Sequence, residues 1–230
     1  MKRQFSLLLL SLVALFGLAS TAFAAPIDVT ITFDNPANAP NNTYGGYYVG
    51  IYLGTVNGGP AITDFVCDDF SHDITDGMAW TAEAGDSNPV ASGVRFSPSG
   101  TFPITNPALT GLGLTQQEEY NMVTYLADEI FNDPNNSQGN WGYESYAIWS
   151  ITGPAWNSSN YTSTVQSFVS DALDHKDTNN GNLMVYTPLN GQPGQEFLAP
   201  DPVPEPSSLM LVGTSLALAA GFLGIRKLLS

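Results

Sequence analysis

The sequence predicts an α+β fold: a small β-sandwich or barrel with a three-helix insertion, set between an N-terminal signal peptide and a C-terminal transmembrane helix. Three observations predict it. Strand alternation occurs on both flanks of the central region, at 27–84 and again at 183–199. Between them, from Thr115 to Lys176, apolar residues recur at helical spacing. The chain has 230 residues, and each end is an uncharged apolar stretch beside basic residues.

The body begins with strands. Ile27 to Phe33 alternates strictly, as a half-buried strand does. Asp34 to Thr43 is an Asn/Pro-rich loop. Tyr44 to Val56 reads as one strand, with Tyr47, Val49, Ile51 and Leu53 on one face and Tyr48, Gly50, Tyr52 and Gly54 on the other. The Tyr/Gly face fits either sugar stacking or packing against a neighbouring sheet. Ile62 to Phe70 is a third strand, with Phe65, Cys67 and Asp69 opposite Val66, Asp68 and Phe70. Ala79 to Ala84 is a short strand, and Gly85 to Gly113 reads as loops with at most one edge strand.

Helices follow. Thr115-Gln-Gln-Glu118 is a capping box, and Tyr120, Val123, Leu126, Ala127, Ile130 and Phe131 then share a face. Glu118 and Glu119 are expected on an exposed helix start. A shorter helix from about Tyr143 to Ile151 stops at Gly153-Pro154. A third presents Val165, Phe168, Val169, Ala172 and Leu173, with Lys176 favouring its C-terminal dipole. Strand pattern returns at Leu183–Thr187 and Glu196–Ala199.

The two ends carry targeting features. Lys2-Arg3, an apolar core from Phe5 to Leu18, and Ala22-Phe23-Ala24 before Ala25 form a signal peptide over 1–24 with its cleavage site. A body of one domain, 25–199, leads into a stiff Pro-rich linker at 200–208. Leu209 to Ile225 is uncharged and would span roughly 26 Å as a helix at about 1.5 Å per residue, the short end of a bilayer. The basic end at 226–230 would stay cytoplasmic and leave the body outside. Val203-Pro204-Glu205-Pro206, then the apolar helix, then Arg226-Lys227, resemble in that order the PEP-CTERM sorting signal of Gram-negative bacteria. The resemblance implies export through the Sec translocon and recognition by a membrane-embedded exosortase. It also implies cleavage near the Pro-Glu-Pro and delivery to the cell surface or its exopolysaccharide, with transient or stable inner-membrane anchoring by the helix.

Charge narrows the functions. Over 25–206 only Arg95 and Lys176 oppose all 21 acids, a formal charge of 2 − 21 = −19. Nucleic-acid binding and attraction to anionic lipid run on Lys and Arg and are excluded as expectations, whereas divalent cations are attracted. Cys67 is the single cysteine, so no intramolecular disulfide forms.

Four candidate chemistries remain. The stretch Asp64-Phe-Val-Cys67-Asp-Asp-Phe70, with Glu144-Ser-Tyr-Ala-Ile-Trp149, resembles the thioester domains of bacterial surface adhesins. In that family the thiol bonds to a glutamine three residues before the Ile-Trp. Here that position is Ser145, which cannot form a thioester, so the resemblance implies a retained fold whose covalent chemistry is lost or has moved. The plain alternative for Cys67 is a small buried apolar residue. Calcium could use Asp64, Asp68, Asp69, Asp73 and Asp76 near His72, or Asp133 with Asn135 and Asn136, or Asp174 and Asp177 with Asn179. None has the EF-hand register, and turn formation and capping explain the same residues. No pattern selects catalytic groups, so no enzyme activity and no resident cofactor are expected. Trp80, Trp141, Trp149 and Trp156 offer flat surfaces, with Trp141 and Trp156 in loops where exposure is expected.

The combined expectation is a non-catalytic surface or matrix protein that binds polysaccharide or other envelope components. The alternatives are a thioester-like adhesin with degenerate chemistry at Cys67, and then a secreted hydrolase.

Overall fold

A computed structural model describes residues 27–34, 43–59, 63–96, 104–178 and 183–200. The signal peptide with Ala22, Ala24 and Ala25, the sorting motif Val203–Pro206, the apolar segment 209–225 and Arg226-Lys227 lie outside the described residues. Among the described residues no helix is long and apolar enough to cross a membrane.

Six antiparallel strands close a barrel. They are β1 (Ile27–Phe33), β4 (Ile51–Val56), β5 (Thr63–Cys67), β6 (Ala79–Asp86), β7 (Leu183–Pro188) and β8 (Phe197–Pro200), in the cyclic order β1-β4-β5-β8-β7-β6. Closure joins strands from both ends of the body, and it removes the edges a flat sheet would expose. Three helices occupy the long connection from β6 to β7: α1 (Gln116–Asn132), α2 (Trp141–Thr152) and α3 (Ser163–Asp174).

Two apolar clusters follow from strand alternation. The barrel interior holds Val29, Ile31, Phe33, Tyr52, Phe65, Cys67, Trp80, Tyr186 and Phe197. Phe197 stacks on Trp80 at 5.9 Å and tilts against Phe65 at 5.4 Å. On the opposite face Ile51, Val66, Leu183, Val185 and Leu198 pack under Tyr120, Val123, Leu126, Ile130, Ile148, Ile151 and Val165 of the helices. The strands beneath the helices are thus buried on both faces.

The expected long strand from Tyr44 to Val56 is two pieces. A hairpin of β2 (Thr43–Tyr44) and β3 (Tyr47–Tyr48) turns at Gly45-Gly46 and stands apart from β4. The break is Gly50, at φ +81°, where a Cβ would lie 2.1 Å from Trp141 Cε3. Only glycine allows both that backbone and the indole's approach. Tyr52 and Gly54 consequently face the barrel's packed interior, as in the packing alternative, while Tyr48 stays exposed on the hairpin.

The helices begin and end near their signals. Thr115 caps α1, with Glu118 Oε2 accepting from Thr115 N at 2.7 Å and completing the box. Gly153 closes α2 and Thr162 caps α3. Lys176 engages side chains more than a dipole: its Nζ donates to Glu118 at 3.0 Å and Asp177 at 2.5 Å. Between β6 and α1, Val94 and Phe96 are buried against the helices without forming a strand.

Candidate functional site

The strand registers gather acids beneath α1. Glu83 pairs with Thr187, Tyr186 pairs with Phe197, and Phe197 pairs with Cys67. Thr187, Glu196 and Asp68 therefore stand side by side on the helix-facing side of β7, β8 and β5. Glu196 is fully buried and accepts from Thr187 Oγ1, from Tyr120 Oη of α1, and from Arg95 N at 2.8 Å. Asp68 and Glu119 are also fully buried; Asp68 lies against Glu196, and the carboxyl oxygens of Glu119 have no hydrogen-bond partner among the described residues. Burial, then the Glu196 and Asp69 charges, push the Asp68 carboxyl well up, while Glu196 is raised by burial and eased by its donors. The three donors converge on Glu196, so burial raises the Asp68 carboxyl further than that of Glu196. Glu119, expected on an exposed helix start, is instead pushed up to about 8, by burial first and Glu196 second. Its position in the first turn of α1 turns it toward the barrel.

At the barrel mouth the chain's scarce basic residues have a fixed role. Arg95 pairs with buried Asp69 and donates to Gly194 O at 3.3 Å. His72 Nδ1 lies 3.0 Å from Asp69 Oδ1, and Gln195 Nε2 holds Asp69 O at 3.0 Å and also His72 O. Asp64, Asp73 and Asp76 are exposed and do not join this group. Among the described residues no three His, Cys, Asp or Glu side chains stand together as a metal site. Asp133 accepts from Ser137 Oγ at 2.5 Å, from Gln138 N at 2.9 Å and from Ser137 N at 2.8 Å, which holds its carboxyl below the usual range and fits the turn-forming reading. Of the third proposed loop, Asn179 lies outside the described residues.

Cys67 lies in the barrel interior, 2 % exposed. Burial first, then the Asp69 and Asp68 charges, push its thiol well up, which disfavours the nucleophilic thiolate. Trp149 Nε1 donates to Cys67 O at 2.9 Å, so α2 does sit against the cysteine strand. Ser145, in the position discussed for glutamine, accepts from Gly50 N at 2.9 Å and supports the β3–β4 break. The glutamine nearest in connectivity is Gln195, because its Nε2 and the Cys67 Sγ both reach Asp69 O, the latter at 3.4 Å.

The tryptophans sort by depth. Trp80, Trp141 and Trp149 are core residues, and the expected exposure of Trp141 is not found: it is 0 % exposed, under Gly50. Trp156 differs. It stands on the 3₁₀ turn Pro154–Asn157 between α2 and α3 and lines a groove of about 530 Å³ with Asn106, Leu109, Tyr161, Gln166 and Ser170. Trp156 Nε1 donates to Thr105 Oγ1 at 2.8 Å, which fixes the indole plane. Asn106 Nδ2 donates to Tyr161 Oη and to Ser150 O, both at 3.1 Å. Among the described residues no charged side chain lines this groove. Two rings, two amides and two hydroxyls are the chemistry that holds a neutral polyol. Sequence reasoning flagged Trp156 but missed Tyr161 and Asn106, whose partners lie 55 positions apart.

The chain matches no family model, no curated protein and no solved structure.

Proposed function

We propose that this chain is an exported, non-catalytic cell-surface or extracellular-matrix protein that holds neutral polysaccharide in the Trp156–Tyr161 groove. The observation that carries the binding role is the groove itself: a fixed indole and a phenol flanked by amides and hydroxyls, with no charged lining. Aromatic faces stack on the apolar faces of sugar rings, and neutral amides satisfy hydroxyls without competing for counterions. Export rests on the signal peptide and on the PEP-CTERM-like order of parts at 203–227, with the Sec translocon and an exosortase as transit partners. The test is binding of the producing cell's neutral exopolysaccharide, followed by Trp fluorescence and titration calorimetry. Trp156→Ala should lower affinity roughly tenfold or more with an unchanged unfolding temperature. Absence of binding by the wild type, or equal binding by the variant, would overturn the reading. The intact mass of protein from the native surface tests sorting: a C-terminus near Pro206 supports exosortase cleavage, and one at Ser230 refutes it.

Gln195 favours one second reading, the thioester-like adhesin with relocated chemistry. Its amide and the Cys67 thiol meet at the Asp69 carbonyl. A bond from Cys67 Sγ to Gln195 Cδ would release the amide nitrogen, with the thiol proton, as ammonia. The same mass spectrum decides it: a deficit of one ammonia that methylamine reverses supports the bond, and a full mass excludes it.

A further inference from the structure

A second cavity, of about 300 Å³, lies between the C-terminal half of α1 and the start of α2. Its lining is Tyr125, Asp128, Glu129, Asn132, Gln138 and Glu144, and each brings a side-chain oxygen. Glu144 is the informative member. It is 5 % exposed, and its Oε2 is buried with no hydrogen-bond partner while the residue faces this cavity. Burial, then the Glu129 and Asp133 charges, push its carboxyl up to about 7. Among the described residues, Arg95 is engaged with Asp69 and Lys176 with Glu118 and Asp177, while His175 stacks on Tyr125 at 4.0 Å and faces Asp171. Asp133 is already engaged by Ser137 and Gln138 and Asp128 by Asn132, while Glu129 Oε1 accepts from Tyr125 Oη at 3.2 Å, so Glu129 and Glu144 are the lining carboxylates with the most capacity left for an ion. Asn132 Nδ2 donates to Asp128 Oδ2 at 3.0 Å, so its amide oxygen remains to accept.

We infer that this cavity binds one calcium ion, held by the carboxylates of Glu129 and Glu144 with amide oxygens of Asn132 and Gln138 and with water completing the shell. Two carboxylates and neutral oxygens form a hard, all-oxygen set without fixed octahedral geometry, which suits Ca2+ over Mg2+. Only two carboxylates take part, in keeping with the lack of a three-acid cluster among the described residues. Glu129 and Asp128 are half-buried on a solvent-facing stretch of α1, so the ion has a way in. With two charged ligands and a partly open site, affinity belongs to the weak extracellular class, with Kd about 10⁻⁴–10⁻³ M.

The test is thermal unfolding of the full chain at pH 7.5 and constant ionic strength, with CaCl2 alone as the probe. The wild type should show a saturable rise of about 3–10 °C at about 10 mM Ca2+, with a smaller response to Mg2+. Glu144→Gln should lose that rise while remaining at least as stable as the wild type without calcium. Glu129→Gln, at a more exposed position, should lose most of it, and Trp156→Ala should keep it whole. No calcium response in the wild type, or a response retained by both glutamine variants, would overturn the site and leave Glu144 as a carboxyl that simply keeps its proton. Because Trp156→Ala is silent here, failure of this site is distinct from failure of glycan binding.

Discussion

Replacing Glu119 by glutamine should stabilise the protein at neutral pH and leave its stability in acid nearly unchanged. Glu119 is 0 % exposed, and neither carboxyl oxygen has a partner among the described residues. Its carboxyl is raised from 4.5 to about 8. Between those values the folded protein keeps a proton that the unfolded chain has released. Folding stability is therefore fully present below about pH 4.5 and falls as pH rises toward about 8, by about 1.4 kcal/mol per pH unit. At pH 7 the wild type has lost about 3 kcal/mol to this one group, and above pH 8 about 5 kcal/mol. Glutamine keeps the shape and cannot ionise, and its unpaired amide replaces an equally unpaired neutral carboxyl. The gain from Glu119→Gln should be near zero at pH 4, about 3 kcal/mol at pH 7, and level above pH 8. At about 2–4 °C per kcal/mol for a domain of this size, the pH 7 gain is about 6–12 °C in Tm. Urea and thermal unfolding across pH 4–9, followed by circular dichroism, read it directly. A variant destabilised equally at all pH values would refute the reasoning, because it would mean that the carboxylate is charged and compensated.

Gly50→Ala should cost about 3 kcal/mol or more, from a Cβ driven into Trp141 at 2.1 Å and a left-handed backbone. A urea midpoint unchanged by it would show that Trp141 can move aside. Arg95→Gln leaves the buried Asp69 carboxylate without its cation and should cost about 3–5 kcal/mol at neutral pH by urea unfolding, and a smaller loss would mean that His72 and Gln195 suffice. Thr115→Ala removes one half of the α1 capping box and should cost about 1 kcal/mol. A change within a few tenths would show that the first turn is held by packing alone.

The elements legible in the sequence were those with local signals. The alternation of Ile27–Phe33, the capping box at Thr115 and the apolar face of α3 each require only a few neighbouring residues to be read, and each stands where it was expected. Two kinds of feature were illegible. The first is the choice between sandwich and barrel, which depends on β1 pairing with both β4 and β6, contacts that no local pattern encodes. The second is the fate of charges next to element ends. Asp68 and Asp69 lie just beyond β5, and Glu119 lies in the first turn of α1, where the usual expectation is solvent. Their burial follows from the helical layer closing over the strand ends. Gly50 could have been suspected from its place in a Tyr-rich strand, but only the Trp141 contact shows why it interrupts that strand. Glu196 had a readable signal, since alternation along β8 puts it with Leu198, opposite Phe197, on the face beneath the helices.

If the groove holds a glycan, as proposed, the excess of acid also selects its kind. The two basic residues of the body are engaged by Asp69, Glu118 and Asp177, so none is left to receive an anionic sugar. Buried carboxyls lower the local charge by keeping protons, but those on the surface keep a field of the sign that repels uronates and sulfates. The groove itself has no charged lining, so a neutral glycan gains its stacking without working against that field. Salt separates the cases. With a Debye length of about 8 Å at 0.15 M and about 3 Å at 1 M, binding of a neutral polysaccharide should be nearly flat across that range. Binding of an acidic one should start weak and strengthen with salt. If the acidic polymer instead binds tightly at low salt and weakens as salt rises, the groove is not the principal contact, and a cation-bridged acidic surface takes its place.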